Sequence, residues 1–109
     1  MRVIQGEIWL ADLGAPTGRE QGYHRPVLVI SNDSFNAATP LKIIVPLTTT
    51  NRGWDNHVPV PTDGTGLEKA SWAMVEHVRS VSPRRFTRRI GIVPDELVRE
   101  VTEWITDVI

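Results

Sequence analysis

Arg25 to Ser31 reads Arg-Pro-Val-Leu-Val-Ile-Ser, almost continuous valine, leucine and isoleucine. So short an apolar run, rich in β-branched residues, leaves no polar face for water, so it predicts a strand in the middle of a sheet. That requirement constrains the rest of the chain, because other strands must flank it and other elements must cover it. A second run, Val45-Pro46-Leu47-Thr48-Thr49-Thr50, ends in three hydroxyls, whereas the first begins at an arginine. Strand ends and adjoining loops are where a rigid scaffold presents polar groups to a ligand. An arginine and hydroxyls, with Glu20 on the approach to the first run, suit a phosphodiester better than a carbonyl or a metal.

Strand signals dominate elsewhere too. Gly6 to Asp12 predicts a first strand, and Leu13 to His24, with Gly14, Pro16, Gly18 and Gly22, a long flexible loop. Asn32-Asp33-Ser34 offers helix N-cap chemistry, and Phe35 to Ala38 fits one or two helical turns stopped by Pro40. Leu41 to Thr50 predicts a strand in which Pro46 implies an edge or a bulge. Short β segments are expected at His57–Val60, Ala70–Val75, His77–Val81 and Arg89–Val93, with a turn or one helical turn at Ser82–Phe86. From about Pro94 the period changes. Leu97, Val98, Val101, Trp104, Ile105 and Val108 make one apolar face of a helix. The order predicts a mainly β protein with some α (α+β), a small partly open barrel or strongly bent sheet capped by the terminal helix.

A chain of 109 residues is expected to be a single domain, residues 1–109. It has no cysteine, which excludes disulfides and thiolate metal sites. No apolar stretch approaches the roughly 20 residues needed to span a bilayer, and the first residues lack the apolar segment of a signal peptide, so a cytoplasmic location is expected. The net charge of −1 argues against a protein that coats nucleic acid indiscriminately. Charge is nonetheless uneven. Residues 79–93 carry Arg79, Arg84, Arg85, Arg88 and Arg89 with no acid, whereas residues 94–109 carry five acids against Arg99 alone. This pattern reads either as a solvated basic loop beside an acidic helix or as a cationic wall for a polyanion.

The chain resembles the MazF/PemK family of toxin endoribonucleases from bacterial toxin–antitoxin pairs. The resemblance rests on Gly6-Glu7-Ile8-Trp9 with Asp12-Leu13, on Gly18-Arg19-Glu20-Gln21-Gly22, and on Arg25-Pro26-Val27-Leu28-Val29-Ile30 with Asn32 and Asn36. It continues through Pro46-Leu47-Thr48-Thr49-Thr50 with Arg52-Gly53, Gly66-Leu67 to Ser71, Val78-Arg79, and Arg89-Ile90-Gly91. It implies an SH3-like barrel of the CcdB/MazF kind with a short helix and a C-terminal helix, a homodimer, no membrane association and no metal or other cofactor. It also implies sequence-specific cleavage of single-stranded RNA to 2′,3′-cyclic phosphate and 5′-hydroxyl ends. The implied partner is a cognate antitoxin whose C-terminal segment covers the RNA groove. Two alternatives share the barrel: a CcdB-type gyrase poison, although this chain lacks that group's Trp-Gly-Ile terminus, and a non-catalytic RNA-binding module.

By resemblance, Arg25 and Thr48 are catalytic and Glu20 is a base for the 2′-proton. Read without the family, Arg25 could equally pair with a carboxylate, and Thr48 could be an ordinary strand threonine. Asn36, Trp54, His77, Arg79 and Arg84 are candidate RNA contacts. Trp54, in a polar loop, could stack on an unpaired base or bury itself between subunits. His77 stands where many family members have glutamine. His24, His57 and His77 share no metal-ligand spacing, so no metal site is expected.

Overall fold

The computed structural model describes residues 2–14 and 23–109. Among these residues, seven strands and two α-helices follow in the order β1 (Glu7–Asp12), β2 (His24–Val29), α1 (Asp33–Ala38), β3 (Lys42–Thr48), β4 (His57–Val60), β5 (Ser71–Met74), β6 (Arg79–Val81), β7 (Phe86–Ile92) and α2 (Asp95–Val108). Single 3-10 turns at Val75–His77 and Pro83–Arg85 flank β6. All pairings are antiparallel, in the order β4-β5-β3-β2-β1-β7, with β6 also on β3. No described helix is long and apolar enough to cross a membrane.

The apolar run at Val27–Ile30 is buried as its composition requires. β2 is flanked by β1 and β3, and its alternate side chains enter two separate cores. Leu28 and Ile30 join Ile8, Val45, Leu47, Val58, Val60, Ala73 and Val75, and this cluster is closed by Val98 and Val101 of α2. Val27 and Val29 join Trp9, Ala11, Ile44, Val81 and Phe86 on the other face. α2 presents its predicted apolar face through Leu97, Val98, Val101, Trp104 and Ile105, but Val108 lies beyond the core and is exposed.

Pro46 departs from expectation. β3 is an interior strand and not an edge. On its outer flank, Lys42–Ile44 pair with β6 and Leu47–Thr48 with β5. Pro46 falls where one partner has ended and the other has not begun, so its missing N–H interrupts neither ladder. The last strand also begins earlier than expected. Thr87 and Arg88, ahead of the expected start at Arg89, are exposed on an edge that among the described residues pairs only with β1, and exposed polar residues hide an edge strand from a hydrophobicity pattern.

The sheet is strongly bent but not closed by hydrogen bonds. Its open side is narrowed where the loop after β4 meets β7 backbone to backbone. A Cβ on Gly91 would stand 1.8 Å from the Thr65 carbonyl oxygen, and one on Gly66 would stand 2.2 Å from that of Ile90. Only glycine at both positions permits this approach.

Candidate functional site

The site is built at the end of the sheet where β2 starts and β3 stops. In the β2–β3 register Val27 faces Pro46, and the same register continued two residues outward sets Arg25 opposite Thr48 on the same face. The row extends on both sides, from Phe86 through Ala11 to Arg25, and from Thr48 through Trp72 to Pro59. The Arg25 guanidinium reaches across to β3 and donates from Nη1 to the Leu47 carbonyl oxygen at 3.3 Å. This contact holds the fork beside Thr48. The Thr48 Oγ1 accepts from the Thr50 backbone N–H at 3.1 Å. Its own proton has no acceptor among the described residues and remains available to a ligand.

Arg25 is half-buried, and its Nε is buried with no hydrogen-bond partner among the described residues. Burial, and secondarily the nearby Arg52 cation, hold its guanidinium below the usual arginine value. No carboxylate among the described residues forms an ion pair with it. A desolvated cation beside a second cation is unfavourable unless an anion completes the site. The electrostatics therefore favour an anionic ligand, with planar donors from Arg25 and a hydroxyl from Thr48 directed to the same place.

From this centre a chain of contacts leads outward. The Arg52 guanidinium lies 5.9 Å from the centre of the Trp54 indole, which is 51% exposed. The indole packs at 4.8 Å on the His57 ring. His57 is buried and bonds through Nε2 to the Glu76 carboxylate at 2.7 Å, while Asn56 Nδ2 donates to the same carboxylate at 3.0 Å. His77 Nε2 approaches it at 3.8 Å. Trp54 and His77 are thus brought to one region.

The other expected contacts separate. The turn carrying Arg84 lies at the Arg25 end, because its neighbour Arg85 donates to the Asp12 carbonyl at 3.2 Å and Asp12 faces His24. Arg79 pairs with Ile44, four residues along β3 from Thr48. Asn36 is placed apart. It sits on α1, beyond the far end of β2, whose last residue Val29 is already about 13 Å along the strand from Arg25. Its amide is occupied there, accepting from Ser31 Oγ at 2.6 Å and donating to the Ser31 carbonyl at 2.9 Å. The basic stretch is no uniform wall either, since Arg89 pairs with the buried Glu7. Glu20 lies outside the described residues.

Arg52, Glu76 and His57 were not predicted as members of this region. Arg52 could have been suspected from its place in one polar loop with Trp54, four residues after Thr48. Glu76 gave no signal, since its partners are brought to it only by the β4–β5 pairing. A cleft of about 260 Å³ opens at the same end of the sheet, lined by Leu10, Pro26, Thr49, Leu67, Ser71 and Arg88. Strand alternation places Pro26 on the face opposite Arg25.

Fold and site together define a small bent-sheet protein with a cationic centre, suited to an anion, at one sheet end. Residues 4–109 match the family described as PemK-like, MazF-like toxin of type II toxin–antitoxin system. Endoribonuclease EndoA of Bacillus subtilis is 34% identical over 105 residues, covering 94% of this chain and 90% of the relative. Endoribonuclease MazF6 of Mycobacterium tuberculosis is 32% identical over 112 aligned positions, covering 100% and 98%. The crystal structure of MazF from Deinococcus radiodurans superposes with a TM-score of 0.87 at 25% identity, covering 99% of this chain and 96% of that one. The MazE–MazF structure (Form-II) from the same organism matches with a TM-score of 0.79 at 24% identity, covering 99% and 96%, a likeness of fold. The chain belongs to the MazF/PemK family of toxin endoribonucleases of type II toxin–antitoxin systems.

Proposed function

We propose that this toxin cleaves single-stranded RNA without a metal ion, at a short sequence motif, using the substrate's own 2′-hydroxyl as nucleophile. The reading rests chiefly on Arg25, a desolvated arginine without a described acidic partner, held beside a threonine with a free proton. The 2′-oxygen forms a new bond to phosphorus as the bond to the 5′-oxygen breaks. The 2′-proton passes to a base and a proton is delivered to the leaving oxygen, which yields 2′,3′-cyclic phosphate and 5′-hydroxyl ends. Arg25 and Thr48 stabilise the charge that grows on the non-bridging oxygens. Glu20 is the proposed base. Trp54 and His77 contact bases, and Arg79 and Arg84 contact phosphates. Asn36 has no part in this reading, because its amide is satisfied by Ser31.

The protein is proposed to act in the cytoplasm as a homodimer and to be silenced by an antitoxin segment lying over the RNA groove. The solved MazE–MazF complexes of the Deinococcus radiodurans relative support such a partner. The test is incubation of the purified protein with a long single-stranded RNA in EDTA, followed by mapping of fragment ends. Discrete cuts with cyclic phosphate ends are expected. Arg25→Ala should lower the rate about 100- to 1000-fold, and Thr48→Ala should lower it less. Wild-type cleavage by Arg25→Ala would overturn the assignment. Uncut RNA with inhibited gyrase, or RNA retarded but intact, would each replace it with the corresponding alternative.

A further inference from the structure

We infer that Glu76 is a positioning residue that fixes Trp54 and His77 as one base-contacting edge beside the Arg25–Thr48 centre. The inference rests on the RNA-cleavage reading above and names how one part of its specificity is built.

The loop between β3 and β4 has no strand partner. Its hydrogen bonds are local: Gly53 N to Asn51 Oδ1 at 2.9 Å, Thr50 N to Thr48 Oγ1 at 3.1 Å, and His57 N to the Trp54 carbonyl at 3.1 Å. Among the described residues, the one hydrogen bond from this loop to a distant element runs from Asn56 to Glu76, at 3.0 Å. The next residue, His57, makes a second bond to the same carboxylate at 2.7 Å. The His57 side chain is 1% exposed and Glu76 30%. The carboxylate thus reaches the surface while anchoring a buried ring, and Trp54 rests on that ring at 4.8 Å.

A stacking platform gains affinity only if its own ordering cost has been met before the base arrives. Half-exposed, Trp54 has surface to offer, and Glu76 supplies the rigidity through Asn56 and His57. The Nδ1 of His57 is buried without a partner, so Nε2–H facing Glu76 is the favoured tautomer and the ring is held from one side only. His77, adjacent in sequence and 3.8 Å from the carboxylate, completes the edge.

The experiment pairs protein variants with short RNAs that carry the mapped cut motif, either intact or with one base beside the scissile phosphate removed. Wild-type protein should lose about 5- to 150-fold in kcat/KM when the recognised base is absent, the range for one base stack. Glu76→Ala should lose a similar factor on intact RNA and little more on the RNA lacking that base, because both changes remove the same contact. Equal losses on every RNA, or none, would overturn the inference. If Glu76→Ala does not fold, Asn56→Ala removes one strut and should give a smaller loss of the same pattern. Glu76→Gln, which keeps an acceptor, should cut close to wild type.

A second readout needs no cleavage. The difference in acrylamide quenching between each protein and its Trp54→Phe counterpart should rise in Glu76→Ala. An unchanged quenching difference would overturn the inference. So would a difference that falls with rising protein concentration, which would place Trp54 between subunits. Should the wild type leave RNA whole, the cleavage reading fails, and quenching alone decides whether Glu76 holds the loop.

Discussion

At the scale of single residues, the site is defined by groups the fold leaves unsatisfied. Arg25 has a buried Nε and a second cation near it, and Thr48 has a proton with no acceptor among the described residues. Such arrangements are retained where a ligand completes them. Tyr23, two residues from Arg25, shows a related compromise. Its φ is +60° and its side chain is 66% exposed. A left-handed backbone costs a non-glycine residue about 1–2 kcal/mol. Glycine would relieve most of this while adding freedom to the unfolded chain. Tyr23→Gly is expected to stabilise the protein by about 0.5–1 kcal/mol, measured by urea denaturation. A destabilised variant would show that the ring makes contacts of its own.

At the scale of elements, the bent sheet depends on close backbone approach as much as on its apolar cores. Gly91 belongs to β7 opposite Ile8, and a side chain there would collide with the Thr65 carbonyl. Gly91→Ala should destabilise by about 2–4 kcal/mol, because Gly91 cannot withdraw without breaking the β1–β7 ladder and Thr65 is tied into its own turn through Oγ1 to the Pro61 and Thr62 carbonyls. Thermal denaturation checks this, and a loss below about 0.5 kcal/mol would show that the loop at Thr65 yields.

Most elements were legible in the chain because each obeyed a local rule. The continuous apolar run made β2, Asn32 capped α1 by accepting from the Phe35 N–H, and the spacing of Leu97 to Ile105 made α2. Pro46 misled because local chemistry marks proline as an edge signal, whereas its tolerance here comes from two partners that meet on one flank of β3. The start of β7 was hidden because Phe86 read as the end of a turn, and Thr87 and Arg88 are exposed and read as part of a basic loop. Arg25 and Thr48 were identified as a pair through family resemblance. Only their register made them neighbours, since strand pairing brings together residues far apart in sequence.

At the scale of the whole molecule, a net charge of −1 means that RNA, on the proposed reading, would be held by local cations and not by a general positive field. Arg89 is neutralised by Glu7, and Arg85 is tied to the Asp12 carbonyl. Arg25, Arg79 and Arg84 remain as proposed phosphate contacts, and Arg52, whose cation lies near Arg25, is counted as a fourth. Each contact with single-stranded nucleic acid contributes about −0.7 to the slope of log K against log salt, so four predict a slope of about −3. Binding of a non-cleavable RNA across a salt series should show this, and Arg84→Ala should reduce it to about −2. A slope already near −1.4 in the wild type would limit the phosphate contacts to about two.

By itself the sequence determined the kinds of element, their order, the residues that had to be buried and, through resemblance, the family. These follow from periodicity, turn chemistry and motif, all of which act over a few residues. Only the tertiary structure decided which polar groups share a site. It set Arg25 against Thr48, gathered Asn56, His57 and His77 around Glu76, and carried Asn36 to the other end of the sheet. The physical reason is that register and sheet bending are settled by the packing of two apolar cores, and polar side chains come to rest where that packing places them.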